Sequence, residues 1–178
     1  MKIRREWAMP NKNTFECQPI GAFVDYYLQR SNVSVDPFAR NFQGCTYTND
    51  LNQNTKAEYH MDALEFLVML KDKGVVADLI IFDPPYSPRQ LKECYDNCGI
   101  KMKQFDAFLP NHWKDAKDII QEITKVGSIF LWFGWSTSGM GMSRNFYIEE
   151  ILLVNHGVSH NDTICMAEVK TAEQLKMF

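Results

Sequence analysis

Apolar side chains recur at helical spacing in four stretches of the chain. One of them predicts a helix over 19–30, where every third or fourth residue is apolar and a proline suits the first turn. Its stripe consists of Ile20, Phe23, Val24, Tyr27 and Leu28. Three more helices are predicted over 61–74, 89–98 and 111–127, the first and last of them ended by a glycine.

Shorter apolar runs between these helices predict strands. They are VSVD (33–36), GCTYTND (44–50), EYH (58–60), ADLIIFD (77–83) and SIFLWFGW (128–135). Two further runs, 146–157 and 161–170, predict strands joined by a turn, which is typical of an antiparallel hairpin. The alternation predicts an α/β fold with a mostly parallel, doubly wound sheet and a C-terminal antiparallel hairpin.

Length and composition narrow the class of protein. The 178 residues, 46% apolar and 23% charged, predict a single globular domain over 1–178, with an N-terminal segment and first helix over 1–30 and the core over 31–170. No apolar run approaches the roughly 18 residues of a membrane span. A net charge of −3 predicts that any nucleic-acid surface is local, for example the basic start MKIRRE, for which an ordinary solvated face is the alternative.

Cysteine use indicates the compartment. Five cysteines, an odd number, and no signal peptide predict free thiols in a reducing cytoplasm. Cys94 and Cys98 share a helix face, but no second Cys/His pair stands at zinc spacing. We therefore expect no metal.

The segment FDPPYSPRQ (82–90) directly follows the apolar run DLII. Because proline has no N–H to donate to a sheet, the strand must stop at Asp83, which leaves Asp83 and Tyr86 on a stiff turn. Open α/β sheets place ligand sites at such strand ends. The tetrapeptide DPPY (83–86) resembles the signature of the S-adenosylmethionine (SAM)-dependent amino-methyltransferases, above all the adenine-N6 DNA methyltransferases.

The chemistry of that family explains these residue types. An exocyclic amine is a poor nucleophile because its lone pair is delocalised into the ring. The resemblance implies that Asp83 and the Pro84 carbonyl accept hydrogen bonds from the amine and direct its lone pair toward the methyl group. Pro85 would stiffen the turn, and Tyr86 would stack on a flipped base. A plain proline-rich turn is the alternative.

Segments elsewhere match the same family in order, over roughly residues 7–170. VDPFARN (35–41) resembles the D-P-F-x-G-x-G loop around the methionine part of the cofactor, through Asp36, Pro37 and Phe38. Arg40 departs from the motif, since a close backbone approach favours glycine there. A strand-ending turn with a core phenylalanine is the alternative.

The resemblance also implies cofactor contacts by two acids and an N-terminal lid. Asp50 would accept hydrogen bonds from the ribose hydroxyls, and Asp62 from the adenine amine, although each could instead cap a turn or helix. In NTFECQPI (13–20), Thr14 and Phe15 would close over the methionine end, or pack as a lid without touching the cofactor.

Four residues are weaker candidates for substrate binding. Trp113 and Trp135 could supply further rings at the base pocket, or pack in the core. His160 and Asn161 lie in the turn NHGVSHNDT, where the family often places a base-contacting loop and where a simple hairpin tip is the alternative.

The resemblance implies a Rossmann-like methyltransferase fold, SAM as the methyl donor and adenine N6 in DNA as the acceptor, as in bacterial and phage enzymes. Asp rather than Asn at residue 83 favours a nucleobase over a glutamine side chain. Little of the chain is left for a target-recognition domain, so short loops, a homodimer partner or a separate subunit would have to supply recognition. A non-catalytic cofactor- or nucleic-acid-binding subunit, or a methyltransferase for RNA or another amine, are the alternatives.

Overall fold

A computed structural model describes residues 1–100, 113–157 and 160–172. Within them the chain forms seven strands and four α-helices. In order these are β1 (Lys2–Trp7), α1 (Gln18–Leu28), β2 (Ser34–Asp36), β3 (Tyr47–Thr48), α2 (Ala63–Asp72), β4 (Ala77–Phe82), α3 (Pro88–Asn97), α4 (Lys114–Glu122), β5 (Thr124–Gly134), β6 (Phe146–Asn155) and β7 (Thr163–Lys170). Short 3₁₀ turns cover Thr14–Glu16 and Met142–Arg144.

The strands form one sheet in the order β1-β6-β7-β5-β4-β2-β3. Strand β7 runs antiparallel to both of its neighbours, and the other pairs are parallel. Both faces of the central strands are covered: Ile80 and Phe82 of β4 pack with α2 and α4, whereas Leu79 and Ile81 pack with α1. The alternation follows from the two-residue period of a strand. The predicted α/β, doubly wound sheet with a C-terminal antiparallel hairpin is therefore confirmed.

The basic N-terminal stretch forms a strand. Strand β1 pairs in parallel with β6 from Lys2–Glu150 to Trp7–Asn155. Arg4 Nε donates to the buried carboxylate of Glu150 at 2.6 Å. Of the cations in MKIRRE, at least Arg4 therefore has a structural role, since it links β1 to β6.

Two predicted strands are shorter in the structure. The run over 44–50 forms a strand only at Tyr47–Thr48, and EYH contributes a single parallel bridge between Asn49 and Tyr59. The intervening backbone instead makes turns whose N–H groups bond to side chains, such as Asn52 N–H to Asp50. Because these turns do not continue the sheet, their polar side chains are available to line a site at this edge.

The helix predicted over 111–127 ends earlier. It begins at Lys114 and ends at Glu122, β5 already starts at Thr124, and residues 111–112 lie outside the described residues. Gly127 has φ +87° and lies in an irregularity where β4–β5 pairing shifts between Ala77–Thr124 and Leu79–Ile129. Its left-handed conformation serves a bulge instead of a helix end. No helix in the described ranges combines the length and apolarity that crossing a bilayer requires.

Candidate active site

The main cleft lies where the parallel strands β2, β3 and β4 end. It has a volume of about 640 Å³, and its lining includes Pro37, Phe38, Asp50, Asp62, Asp83 and Tyr86. Apart from Asp62, which caps the start of α2, these residues follow three neighbouring strands whose carboxyl ends meet at one edge of the sheet. The topology therefore brings together segments that are up to about 50 residues apart in sequence, and the volume is within the range of small-molecule sites.

The four residues of the DPPY turn all line the main cleft. The Tyr86 hydroxyl donates to Asp83 Oδ1 at 2.6 Å, and the Tyr86 backbone N–H donates to Gln90 Oε1 at 2.7 Å. Ser87 caps the start of α3 by accepting from the Gln90 N–H at 3.2 Å. The turn is thus held from both sides, by its own hydroxyl and by the first turn of the following helix.

Asp83 is the acid at the centre of this turn. Its withdrawal from bulk water raises its pKa above the ordinary value for aspartate, while hydrogen bonds from Tyr86 and Thr14 and the charge of Arg40 act in the opposite direction. Burial, together with the Asp83 charge, raises the pKa of the Tyr86 hydroxyl, so this group remains a proton donor. Asp83 is therefore a hydrogen-bonded acceptor in a partly dry cleft.

The loop after β2 places its residues unequally. Pro37 and Phe38 line the cleft, and the Phe38 ring meets Phe82 and Trp113 edge-on at 5.0 and 5.1 Å. Asp36 lies beneath them, fully buried, with Oδ1 accepting the Phe38 N–H at 2.9 Å.

Asp36 does not line the cleft, although it was a cofactor candidate. Its Oδ2 has no hydrogen-bond partner among the described residues. Burial raises its pKa well above the usual range, and the nearby charge of Asp83 adds to this. A neutral acid that supports the loop from below is the role that its position favours.

The two other candidate acids line the cleft, and both also hold local structure. Asp50 accepts from the N–H groups of Asn52 at 2.8 Å and Arg40 at 3.1 Å. Asp62 caps α2 by accepting from the Leu64 N–H at 2.8 Å, which confirms the capping interpretation. Each carboxylate oxygen can accept more than one hydrogen bond, so the cap leaves capacity for a ligand.

The two lid candidates separate. Thr14 lines the main cleft near Asp83, whose pKa it lowers. Phe15 does not line the cleft: its ring packs against Phe42 and Phe133 at 5.0 and 5.3 Å. The 3₁₀ turn therefore presents its threonine to the cleft and anchors itself with its phenylalanine.

A second cavity of about 240 Å³ adjoins the main cleft. Trp135, His160 and Asn161 line it, and it shares Thr14, Tyr86, Gln90 and Asn11 with the main cleft. The Tyr86 and Trp135 rings meet edge to face, with their centroids 5.8 Å apart and their planes at 72°. Trp113 lines the main cleft instead. Tyr86 of the DPPY turn thus lines both of these adjoining cavities.

Sequence reasoning missed three polar residues here. The buried amide of Asn49 donates to the carbonyls of Pro37 and Met61 and accepts the Met61 N–H, which joins the loops that carry Phe38 and Asp62. Gln90 holds Tyr86. Arg40 lines the cleft with φ +50°, and the signal was its position where glycine was expected. No group of three or more His, Cys, Asp or Glu among the described residues could hold a metal ion.

Comparisons with known proteins agree with this geometry at the level of the fold. Neither a protein-family model nor a curated protein matches the chain. Among solved structures, a SAM-dependent methyltransferase from Agrobacterium tumefaciens superposes with a TM-score of 0.51 at 12% identity, over 85% of this chain and 60% of its own. The chain has the Rossmann-like methyltransferase fold.

Two further structures share this methyltransferase fold. One, provisionally assigned as a methyltransferase and complexed with SAH (S-adenosylhomocysteine), has a TM-score of 0.51 at 12% identity, over 78% of this chain and 45% of its own. The other, a provisionally assigned SAM-dependent methyltransferase from Streptococcus mutans, has a TM-score of 0.50 at 13% identity, over 83% and 48%. The chain therefore spans 60% or less of the length of each of these three proteins.

Proposed function

We propose that the protein transfers a methyl group from SAM to the exocyclic N6 amine of adenine in DNA. The observation that carries the proposal is the DPPY turn, because it places a shielded carboxylate in the main cleft and an aromatic ring between the cleft and the second cavity. A methyl donor in one cavity and an acceptor base in the other would meet at this turn.

The side chains of the main cleft suit an adenosyl cofactor. Asp50 would accept from the ribose hydroxyls and Asp62 from the adenine amine, and Phe38 supplies an apolar wall. When bound, SAM supplies an activated methyl group: the acceptor nitrogen bonds to the methyl carbon while the carbon–sulfur bond breaks, leaving its electrons on sulfur. No covalent enzyme intermediate and no metal are needed for this displacement.

Asp83 and the Pro84 carbonyl would hold the acceptor amine by its N–H groups, so that its lone pair points at the methyl carbon. The proton that the nitrogen sheds would pass to Asp83 Oδ. The raised pKa of Asp83 favours this step, because it makes the carboxylate a better proton acceptor than an exposed aspartate. Tyr86 would have to release Oδ1 as the amine arrives, and its ring would then lie along the base.

The second cavity would take the flipped base. Tyr86 and Trp135 offer ring faces and edges for stacking, while His160 and Asn161 offer hydrogen-bonding groups for the base edge or the adjoining backbone. A nucleobase amine is the proposed acceptor because Asp, and not Asn, stands at residue 83, and adenine N6 in DNA is the acceptor that the resemblance of the DPPY turn favours. With a net charge of −3, phosphate contacts would be confined to the rim of the cavities.

Methyl transfer from labelled SAM to double-stranded DNA, single-stranded DNA and RNA tests the proposal. We expect label at adenine N6 in DNA with the native protein, and a loss of at least about 100-fold with Asp83→Ala, because the amine loses its orienting acceptor. Asp25→Ala, which removes an exposed acid on α1, is the matched control and should keep full activity.

Other outcomes would overturn defined parts of the proposal. Label in RNA but not in DNA would replace the substrate and keep the reaction. Near-full activity of Asp83→Ala would remove the mechanism. Cofactor binding by calorimetry with no label on any nucleic acid would favour a non-catalytic role.

A further inference from the structure

Arg40 occupies a backbone conformation that normally selects glycine. It has φ +50°, and it is one of two non-glycine residues with positive φ among those described. Side chains disfavour this region because of their Cβ atoms. The loop therefore keeps the shape that a glycine would give it, while carrying a long cationic side chain into the site.

Arg40 interacts with three parts of the main cleft, two by hydrogen bonds and one by its charge. Its guanidinium Nη1 donates to the carbonyl oxygen of Lys12 at 2.7 Å, and its backbone N–H donates to Asp50 Oδ2 at 3.1 Å. Its charge also acts on Asp83, whose pKa it lowers. Arg40 thus lies between the N-terminal lid, the proposed ribose acid and the proposed catalytic acid.

The charges of the cleft are divided. Among the described residues that line it, the acids are Asp50, Asp62, Asp83 and Glu93, and the cations are Lys12 and Arg40, which are in contact with each other. A carboxylate ligand group therefore has one favourable place in the cleft. One guanidinium N–H is engaged with Lys12, and the remaining donors of its planar fork are suited to a carboxylate.

The three groups on the sulfur of SAM are the ribose, the methyl group and the amino-acid arm. They match the separation of the acids in the cleft from its two cations. With the ribose at Asp50 and the methyl group facing Asp83, Arg40 is the cation that adjoins both acids, and Lys12 is in contact with it. We propose that Arg40, assisted by Lys12, binds the carboxylate of the methionine arm. This inference rests on the proposed function, specifically on its cofactor.

The test compares two ligands that differ in this arm. SAH has the amino-acid carboxylate, and 5′-methylthioadenosine has the same adenosyl and sulfur groups without it. Calorimetry should show that Arg40→Gly weakens SAH binding by about 10–100-fold, the range for a hydrogen-bonded charged group, and changes 5′-methylthioadenosine binding by less than about twofold. Glycine is chosen because it accepts the positive φ, so the loop keeps its shape.

Two further variants sharpen the result. Arg40→Lys keeps the charge but not the planar fork, and should fall between the native protein and Arg40→Gly for SAH alone. Arg30→Ala is the matched control, because Arg30 is exposed just beyond the C-terminal end of α1 and also donates to a backbone carbonyl, that of Tyr26. It should leave both ligands unaffected.

An equal loss of both ligands in Arg40→Gly would overturn the inference and make Arg40 a tie that only holds the lid. The proposed function would then still stand, provided that the native protein binds SAH and methylates DNA. If the native protein binds neither SAH nor SAM, the cofactor assignment itself fails, and the inference fails with it. The two failures are therefore distinguishable in one set of titrations.

Discussion

Tyr86 has two roles that its ring and hydroxyl divide between them. The sequence indicates a stacking ring, and the structure adds a hydroxyl that donates to Asp83 Oδ1 at 2.6 Å. This contact occupies the acceptor that the proposed mechanism assigns to the amine. It also favours the ionised form of Asp83, because a hydrogen bond to the carboxylate lowers its pKa.

Removing only the hydroxyl tests this division. In Tyr86→Phe the ring remains, so we expect methyl transfer to persist within about tenfold, in keeping with a typical neutral hydrogen bond. The pKa of Asp83 should rise, because one of the hydrogen bonds that lower it is gone. A reaction that needs the ionised carboxylate would then reach full rate only at higher pH.

The measurement is kcat against pH on the acid side for the native protein and for Tyr86→Phe. The acid limb should move to higher pH in the variant. Tyr147→Phe, on an exposed ring of β6, serves as the control. An unmoved limb, or one displaced to lower pH, would mean that the hydroxyl does not set the ionisation of Asp83 in the working enzyme.

Strand β1 shows how an element can depend on a partner remote in sequence. Its Arg4 bonds to Glu150 at 2.6 Å, and Lys2 and the Tyr27 hydroxyl approach the same carboxylate at 3.5 Å. Just beyond the strand, the His156 Nδ1–H donates to the Ala8 carbonyl at 2.8 Å. These contacts fix the stretch from which the chain passes to the lid.

Glu150→Ala should therefore destabilise the protein. Its carboxylate is buried and shared by charged donors, so we expect the free energy of unfolding to fall by about 1.5–3 kcal/mol. The neighbouring Glu149 is exposed, and Glu149→Ala should change it by less than about 0.5 kcal/mol. Urea titrations of both variants decide this, and equal midpoints would show that β1 is held by its backbone pairing alone.

Features that depend on neighbouring residues could be predicted from the sequence, and features that depend on residues remote in the chain could not. The DPPY turn was predictable because proline acts on its own strand, and so was the hairpin that β6 and β7 form. Strand β1 was not predictable, since KIRREW has no apolar run. The residue that binds its Arg4, Glu150, lies 146 residues away in the sequence. Gly127 led to the wrong prediction of a helix end, because a glycine with left-handed backbone can occur equally at a helix end and in a bulge.

At the site, Arg40 is the instructive case. Its residue type suggested that the glycine-like loop geometry was lost, whereas the backbone adopts that geometry anyway and adds a cation. Asp36 is the converse, because a sequence match to the cofactor loop does not reveal that the side chain points beneath the loop. Side-chain direction and backbone strain depend on the assembled sheet, and no local pattern encodes them.

On the scale of the whole molecule, the fold separates two tasks along one edge of the sheet. Asp50 follows β3 at the outer edge, while Asp83 follows β4 nearer the centre. Each acid is held by its own local contacts, Asp50 by backbone N–H groups and Asp83 by the hydroxyl of Tyr86. Cofactor binding and methyl transfer should accordingly be separable by mutation.

Thermal unfolding with SAH measures this separation without any turnover. A ligand at 100 times its Kd stabilises the native state by about 2.7 kcal/mol, which corresponds to a rise in Tm of about 5–10 °C for a chain of this size. Asp83→Ala should keep most of that rise. Asp50→Ala at the same SAH concentration should keep about half if its Kd increases tenfold. If Asp83→Ala lost the rise instead, the catalytic turn would also be a principal anchor of the cofactor, and the two tasks would share one acid.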